Sequence, residues 1–92
     1  MIEREESKRG GTVKVTFTLP VDQPDGAVSV VGDFNDWDPY AHPLIPEGEL
    51  RRATVGLRRG GLYVFRYLGS AGQWFDDESA DLLDHRGGVI RT

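Results

Sequence analysis

Residues 62–68 read Leu62-Tyr63-Val64-Phe65-Arg66-Tyr67-Leu68. Strict alternation puts Tyr63, Phe65 and Tyr67 on one side and Val64, Arg66 and Leu68 on the other, the period-two signature of a β-strand. Three rings on one face carry a large apolar area, so that face belongs in a core and Arg66 points away from it. The same alternation recurs on either side. From Thr12 to Leu19, Val13, Val15, Phe17 and Leu19 oppose Thr12, Lys14, Thr16 and Thr18, and from Glu49 to Leu57, Ala53, Val55 and Leu57 share a face. Ala27 to Val31 is nearly all apolar and reads as a central, covered strand. Gln73-Trp74-Phe75 reads as a short strand and Gly88 to Arg91 as a last one. Between these runs lie turn residues: Pro20 to Gly26, a tight hairpin signal at Arg58-Arg59-Gly60-Gly61, and Gly69 to Gly72. No segment sustains a 3.6-residue period; the best helical candidate is one turn over Ser79 to Leu83, capped by Ser79. Short strands at regular spacing with Gly and Pro turns predict an all-β, immunoglobulin-like antiparallel sandwich.

The chain has 92 residues, enough for one domain with a thin core. Residues 1–11 are charged and close on Gly10-Gly11, and read as a flexible tail, leaving residues 12–92 as the sandwich. No apolar run reaches membrane-spanning length. Cysteine is absent, which removes disulfide and thiolate chemistry and fits a cytoplasmic protein. A net charge of -4, with scattered arginines, argues against nucleic acid or an anionic membrane as partner.

Fifteen carboxylates raise the question of an acid/base pair. Asp33, Asp36 and Asp38 form one cluster, and Asp76, Asp77, Glu78, Asp81 and Asp84 another. Aspartates at strand ends accept backbone N–H bonds and keep a small sandwich soluble, and a catalytic pair needs a cleft that raises one pKa by burial. The expectation is therefore no enzyme and no cofactor. No metal site is expected either. His42 and His85 stand far apart without Cys or HExxH partners, and the run from Asp33 lacks the glycine and the twelfth-position acid of a calcium loop.

What remains is aromatic. Gly32-Asp33-Phe34-Asn35-Asp36-Trp37 follows the run Val28-Ser29-Val30-Val31, so it sits where a strand ends. Trp37, between Asp36 and Asp38, is hard to bury completely. Trp74 lies at a second strand boundary. The apolar C–H face of a pyranose packs flat on an indole, and its hydroxyls then need donors and acceptors at the rim, where Arg66, Gln73 and Asn35 are candidates. The competing reading is that both indoles plug the core.

Taken together, Gly32 to Trp37, the strand Tyr63-Val64-Phe65-Arg66-Tyr67, Gly72-Gln73-Trp74 and Asp76 resemble carbohydrate-binding module family 48, the early-set or isoamylase N-terminal domains. That family includes the glycogen-binding domain of the AMP-activated protein kinase beta subunit and domains of branching enzymes. The resemblance covers about residues 12–92. It implies that Trp37 and Trp74 stack on glucose, that Arg66 stands where a lysine usually contacts hydroxyls, and that Leu83 inserts into the turn of the glucan. It also implies an asparagine in the last loop, where this chain has Gly87. The Val-Asp-Gly expected after the aromatic strand is replaced by Leu68-Gly69-Ser70-Ala71-Gly72. Loss of one polar contact of this kind weakens binding by about 1–3 kcal/mol.

The expectation from the resemblance is a non-catalytic module binding glycogen, starch or a maltooligosaccharide. Its partner would be a glycogen-metabolising enzyme or kinase subunit. The alternative is a protein-interaction or structural early-set domain that has lost sugar binding, with an edge strand such as Thr12 to Leu19 free to pair with another chain.

Overall fold

Residues 1–7 and 10–92 are described by the structure, a computed structural model. Along the chain lie β1 (Ile2–Glu6), β2 (Thr12–Pro20), β3 (Val28–Gly32), a 3-10 turn (Asp33–Asn35), β4 (Ile45–Glu47), β5 (Leu50–Arg58), β6 (Leu62–Gly69), β7 (Trp74–Phe75), β8 (Leu82–Asp84) and β9 (Gly87–Arg91). They form two antiparallel sheets, one in the order β1-β2-β5-β4 and one in the order β3-β6-β9-β8, with β7 pairing a further stretch of β6. The fold is an all-β sandwich. Among the described residues no helix is long and apolar enough to cross a membrane.

The faces follow the alternation in the sequence. Val13, Val15 and Phe17 of β2 stand opposite Leu57, Val55 and Ala53 of β5, and all are buried. Facing them from the other sheet are Val28 and Val30 of β3, Phe65 and Tyr67 of β6, and Ile90 of β9. Phe17 is the hub: its ring lies 5.0 Å from Phe65, 5.9 Å from Phe34 and 6.4 Å from Tyr67. Rings at such tilts add packing energy beyond their buried area.

Several sequence expectations give way. Residues 2–6 are not a tail but a strand: β1 pairs with β2 from Ile2 opposite Phe17 to Glu6 opposite Val13 (Lys8 and Arg9 lie outside the described residues). Charge masked this strand, because only Ile2 packs on the core while the rest of β1 is exposed. Arg4 secures it instead, donating to the carbonyl of Arg91 on β9 and to the carboxylate of Asp81, and so tying the two sheets along one edge. With β1 on one side and β5 on the other, β2 is an interior strand rather than an edge open to another chain. β3 is the reverse case. Expected to be central, it ends its sheet, and its free edge is covered by residues 42–44, where Val30 N–H donates to His42 and Leu44 N–H to Val28. The turn at Arg58 to Gly61 is not a hairpin but carries the chain from β5 in one sheet to β6 in the other. Ser79 caps no helix. Its N–H and hydroxyl bond Asp77, and Leu82–Asp84 continues as strand.

Among the described residues two charged groups sit inside. Arg51, opposite Leu19, is 3% exposed and donates to the carbonyls of Pro24 at 2.7 Å and Gly26 at 2.6 Å, holding the β2–β3 loop closed. Asp77 is buried against Tyr67 and recurs below.

Candidate functional site

The hexapeptide at the end of β3 builds one corner of the site, and each residue in it has a physical task. Gly32 is extended, but a Cβ there would strike the carbonyl oxygen of Val64 and the ring of Phe34, so no side chain fits. Asp33 continues the outward phase of β3. One carboxylate oxygen accepts the Val64 N–H at 2.9 Å and the other accepts the Trp37 indole N–H at 3.3 Å. Phe34 turns into the end of the core against Phe17, Tyr63 and His42. Asn35 accepts the Gly32 N–H at 3.0 Å, donates to the Val30 carbonyl at 3.1 Å and lies 3.0 Å from His42 Nδ1. Its amide is thus used within the turn, and the expected rim donor is a structural lock. Asp36 and Trp37 both adopt left-handed backbone, at φ 55 and 57. For tryptophan this conformation costs about 1–2 kcal/mol. It persists because the Gly32 carbonyl accepts the Trp37 N–H and Asp33 holds the indole.

Strand register defines the rest of the face. Paired residues of an antiparallel sheet point the same way. On the outer side of β3-β6-β9-β8, one row runs Val64, Val89, Leu82, the next Val31, Arg66, Gly87, Asp84, and a third Ser29, Leu68, Trp74. Trp74 is 49% exposed and is the diagonal neighbour of Arg66, two residues along β6 from its register partner Leu68. The chain after it alternates: Trp74 and Asp76 take the outer phase, while Phe75 packs on Tyr67 at 5.2 Å between ring centroids and Asp77 accepts the Tyr67 hydroxyl at 2.6 Å. Arg66 Nε lies 3.2 Å from Asp76 Oδ1 without the alignment of a hydrogen bond, and is itself buried. Next door, Asp84 accepts the guanidinium and backbone N–H of Arg86, each at 2.8 Å, which holds its carboxyl below the usual range.

Trp74 and Arg66 therefore share the outer side of one sheet, Trp37 is anchored by Asp33 at the end of β3, and neither indole is sealed in the core. Gln73 does not join them. It holds the turn on the inward side, where its amide covers Gly69 and accepts the Ala71 N–H at 3.0 Å. Leu83 is half exposed but pairs with Gly88, in the phase of Phe65; its neighbour Leu82, 52% exposed, occupies the outer row with Val64. Leu82 rather than Leu83 takes the outer phase because the register of so short a strand is set by β9, not by its own pattern. Tyr40 was missed altogether. Its ring is 88% exposed, and the only signal for it was an aromatic residue among loop prolines.

Fold and site together define a β-sandwich that displays aromatic rings and a guanidinium on the outside of one sheet. No protein-family profile matches the chain. Over 51 residues it is 43% identical to the 1,4-alpha-glucan branching enzyme GlgB of Deinococcus radiodurans, a stretch amounting to 53% of this chain and 7% of that enzyme. The match thus spans a small part of the relative's length.

Proposed function

We propose that the outer side of the β3-β6-β9-β8 sheet is a non-catalytic binding platform for α-glucan chains, with Trp74 and Trp37 stacking on glucose rings. Arg66, Asp76 and Asp84 meet the hydroxyls at the rim. The observation that carries this reading is an indole half open to solvent, paired with Leu68 and so two residues along β6 from the Arg66 guanidinium on the same side of the sheet. The left-handed backbone of Trp37 adds support, because strain of that kind is retained where a side chain must be presented in one place. The similarity to an enzyme named for α-glucan adds a chemical direction. A binding rather than catalytic role is favoured because Asp33, Asp76, Asp77, Asp81 and Asp84 are each committed to a partner within the fold. An open face of this sort gives affinities on the order of micromolar to millimolar. A module of this strength works by keeping an attached or associated enzyme near its polymer.

Maltoheptaose should quench tryptophan fluorescence in the wild type, and Trp74→Ala should weaken binding at least about tenfold, or ~1.4 kcal/mol. A wild type that gives no response at millimolar sugar has no such platform.

A further inference from the structure

Beside the Trp74 row, on the β3 side of Leu68, lies a groove of about 490 Å³ bounded by Ser29, Pro39, Tyr40, Pro43, Leu68 and Ser70. Its size is that of a small-ligand site. Tyr40 is the most exposed large apolar side chain among the described residues. It makes none of the aromatic contacts that knit Phe17, Phe34, Phe65 and Tyr67 together. Its backbone nevertheless is fixed. Asp38 Oδ1 accepts the Tyr40 N–H at 2.9 Å, and the Asp38 carbonyl accepts the Ala41 N–H. Pro39 precedes the ring, and Pro43 bridges to Ser29 of β3 two residues after Ala41. A bare ring on a rigid loop costs little conformational entropy to engage, which suits it to ligand contact rather than to packing.

The groove is continuous with the proposed platform. Leu68 forms its floor, and Leu68 is the register partner of Trp74. Ser29, Leu68 and Trp74 form one row across β3, β6 and β7, a span of about 10 Å at ordinary strand spacing, and Tyr40 bounds the groove at the β3 end of that row. A second groove, over β1, β2 and β5 and bounded by Glu5, Lys14 and Thr54, presents no aromatic ring and has no such continuity.

We infer that Tyr40 and this groove form an extension subsite for a glucan chain already stacked on Trp74, so that the face selects longer linear maltooligosaccharides over short ones. The inference rests on the platform reading above. A chain held at Trp74 passes over Leu68 and lays a further glucose against the Tyr40 ring, with the Ser29 and Ser70 hydroxyls at its edges. Nothing covalent occurs; the groove adds contact area and a second stacking surface.

Calorimetric titration with maltotriose and with maltoheptaose separates the two levels. Wild type should bind maltoheptaose more tightly than maltotriose. Tyr40→Ala should weaken maltoheptaose about three- to tenfold, the scale of one aromatic contact, and leave maltotriose unchanged. Tyr40→Phe should behave as wild type, since stacking and not the hydroxyl is at work. Trp74→Ala should weaken both sugars. Because Tyr40 lies outside the core, its melting temperature serves as a control and should not move. If Tyr40→Ala binds maltoheptaose as wild type does, or loses both sugars equally, the extension is wrong while the platform stands. If wild type binds neither sugar, platform and extension fall together.

Discussion

Asp77→Ala is expected to lower stability by about 2–4 kcal/mol, because it strands the buried Tyr67 hydroxyl and removes three further, partly exposed bonds. The Asp77 carboxylate accepts the Tyr67 hydroxyl at 2.6 Å, the Ser79 hydroxyl at 2.6 Å, the Ser79 N–H at 2.9 Å and the Met1 amine at 3.1 Å. Tyr67 is fully buried at the centre of the core, so its hydroxyl has no water to turn to. Burial, with the hydrogen bond and charge of Asp77, holds that phenol far above its ordinary range, and it stays a donor at every accessible pH. For Asp77 itself, burial pushes the pKa up, but the hydrogen bonds from Ser79, Tyr67 and the Met1 amine outweigh it, and the net position is below the usual carboxylate value. A folded-state pKa below the unfolded value means stability that is present above the unfolded pKa of about 3.9 and lost as pH falls through the folded one. Wild type should therefore weaken below about pH 4, and Asp77→Asn, which keeps the shape without the charge, should lose this part of the acid sensitivity. For a chain of this size each kcal/mol moves the midpoint by about 4–8 °C, so thermal scans resolve the effect easily. An Asp77→Ala protein melting within a degree of wild type would mean that the network carries no net energy.

Asp77 also marks where sequence reading stops. Its neighbours are Asp76 and Glu78, and a run of three acids reads as a solvated loop. Only β7, by pairing with β6 at Tyr67 and Leu68, sets the alternation that sends Asp76 to Arg66 and Asp77 to Tyr67. The long strands needed no such help. Over nine residues the pattern of β2 fixes which face is buried, since a slip of one residue would expose Val13, Val15 and Phe17 together. Arg51 was illegible for the same reason as Asp77. Its partners, Pro24 and Gly26, lie more than twenty residues away, and two carbonyls offset much of the cost of burying the guanidinium, though its Nε has no partner. The candidate site divides along this line. Arg66 sits in a long strand whose phase the aromatic pattern sets, and Trp74 takes its phase from pairing with that strand. Asn35, Gln73 and Leu83 sit in turns or a three-residue strand, where neighbours decide which way each side chain points.

Gly87→Asn should destabilise the fold by about 2–4 kcal/mol rather than add the sugar contact that the resemblance would place there. Gly87 stands at φ +136, outside even the left-handed region that asparagine tolerates. A Cβ there would lie 2.7 Å from the Phe65 carbonyl oxygen and 2.7 Å from Arg66 Cγ. The stem of Arg66 thus occupies the space over Gly87, so the two positions are coupled by packing. Arg66→Ala removes Cγ and leaves the backbone clash, so it should recover part of the loss caused by Gly87→Asn but not all of it. A double-mutant cycle reads this as a coupling of about 0.5–3 kcal/mol. Additive effects would show that the two residues are independent, and a Gly87→Asn protein that melts as wild type and binds maltoheptaose more tightly would show that the glycine is not required. On the α-glucan reading proposed above, stacking on the rings carries most of the affinity, so substitution of Trp74 should outweigh that of any polar residue at the rim.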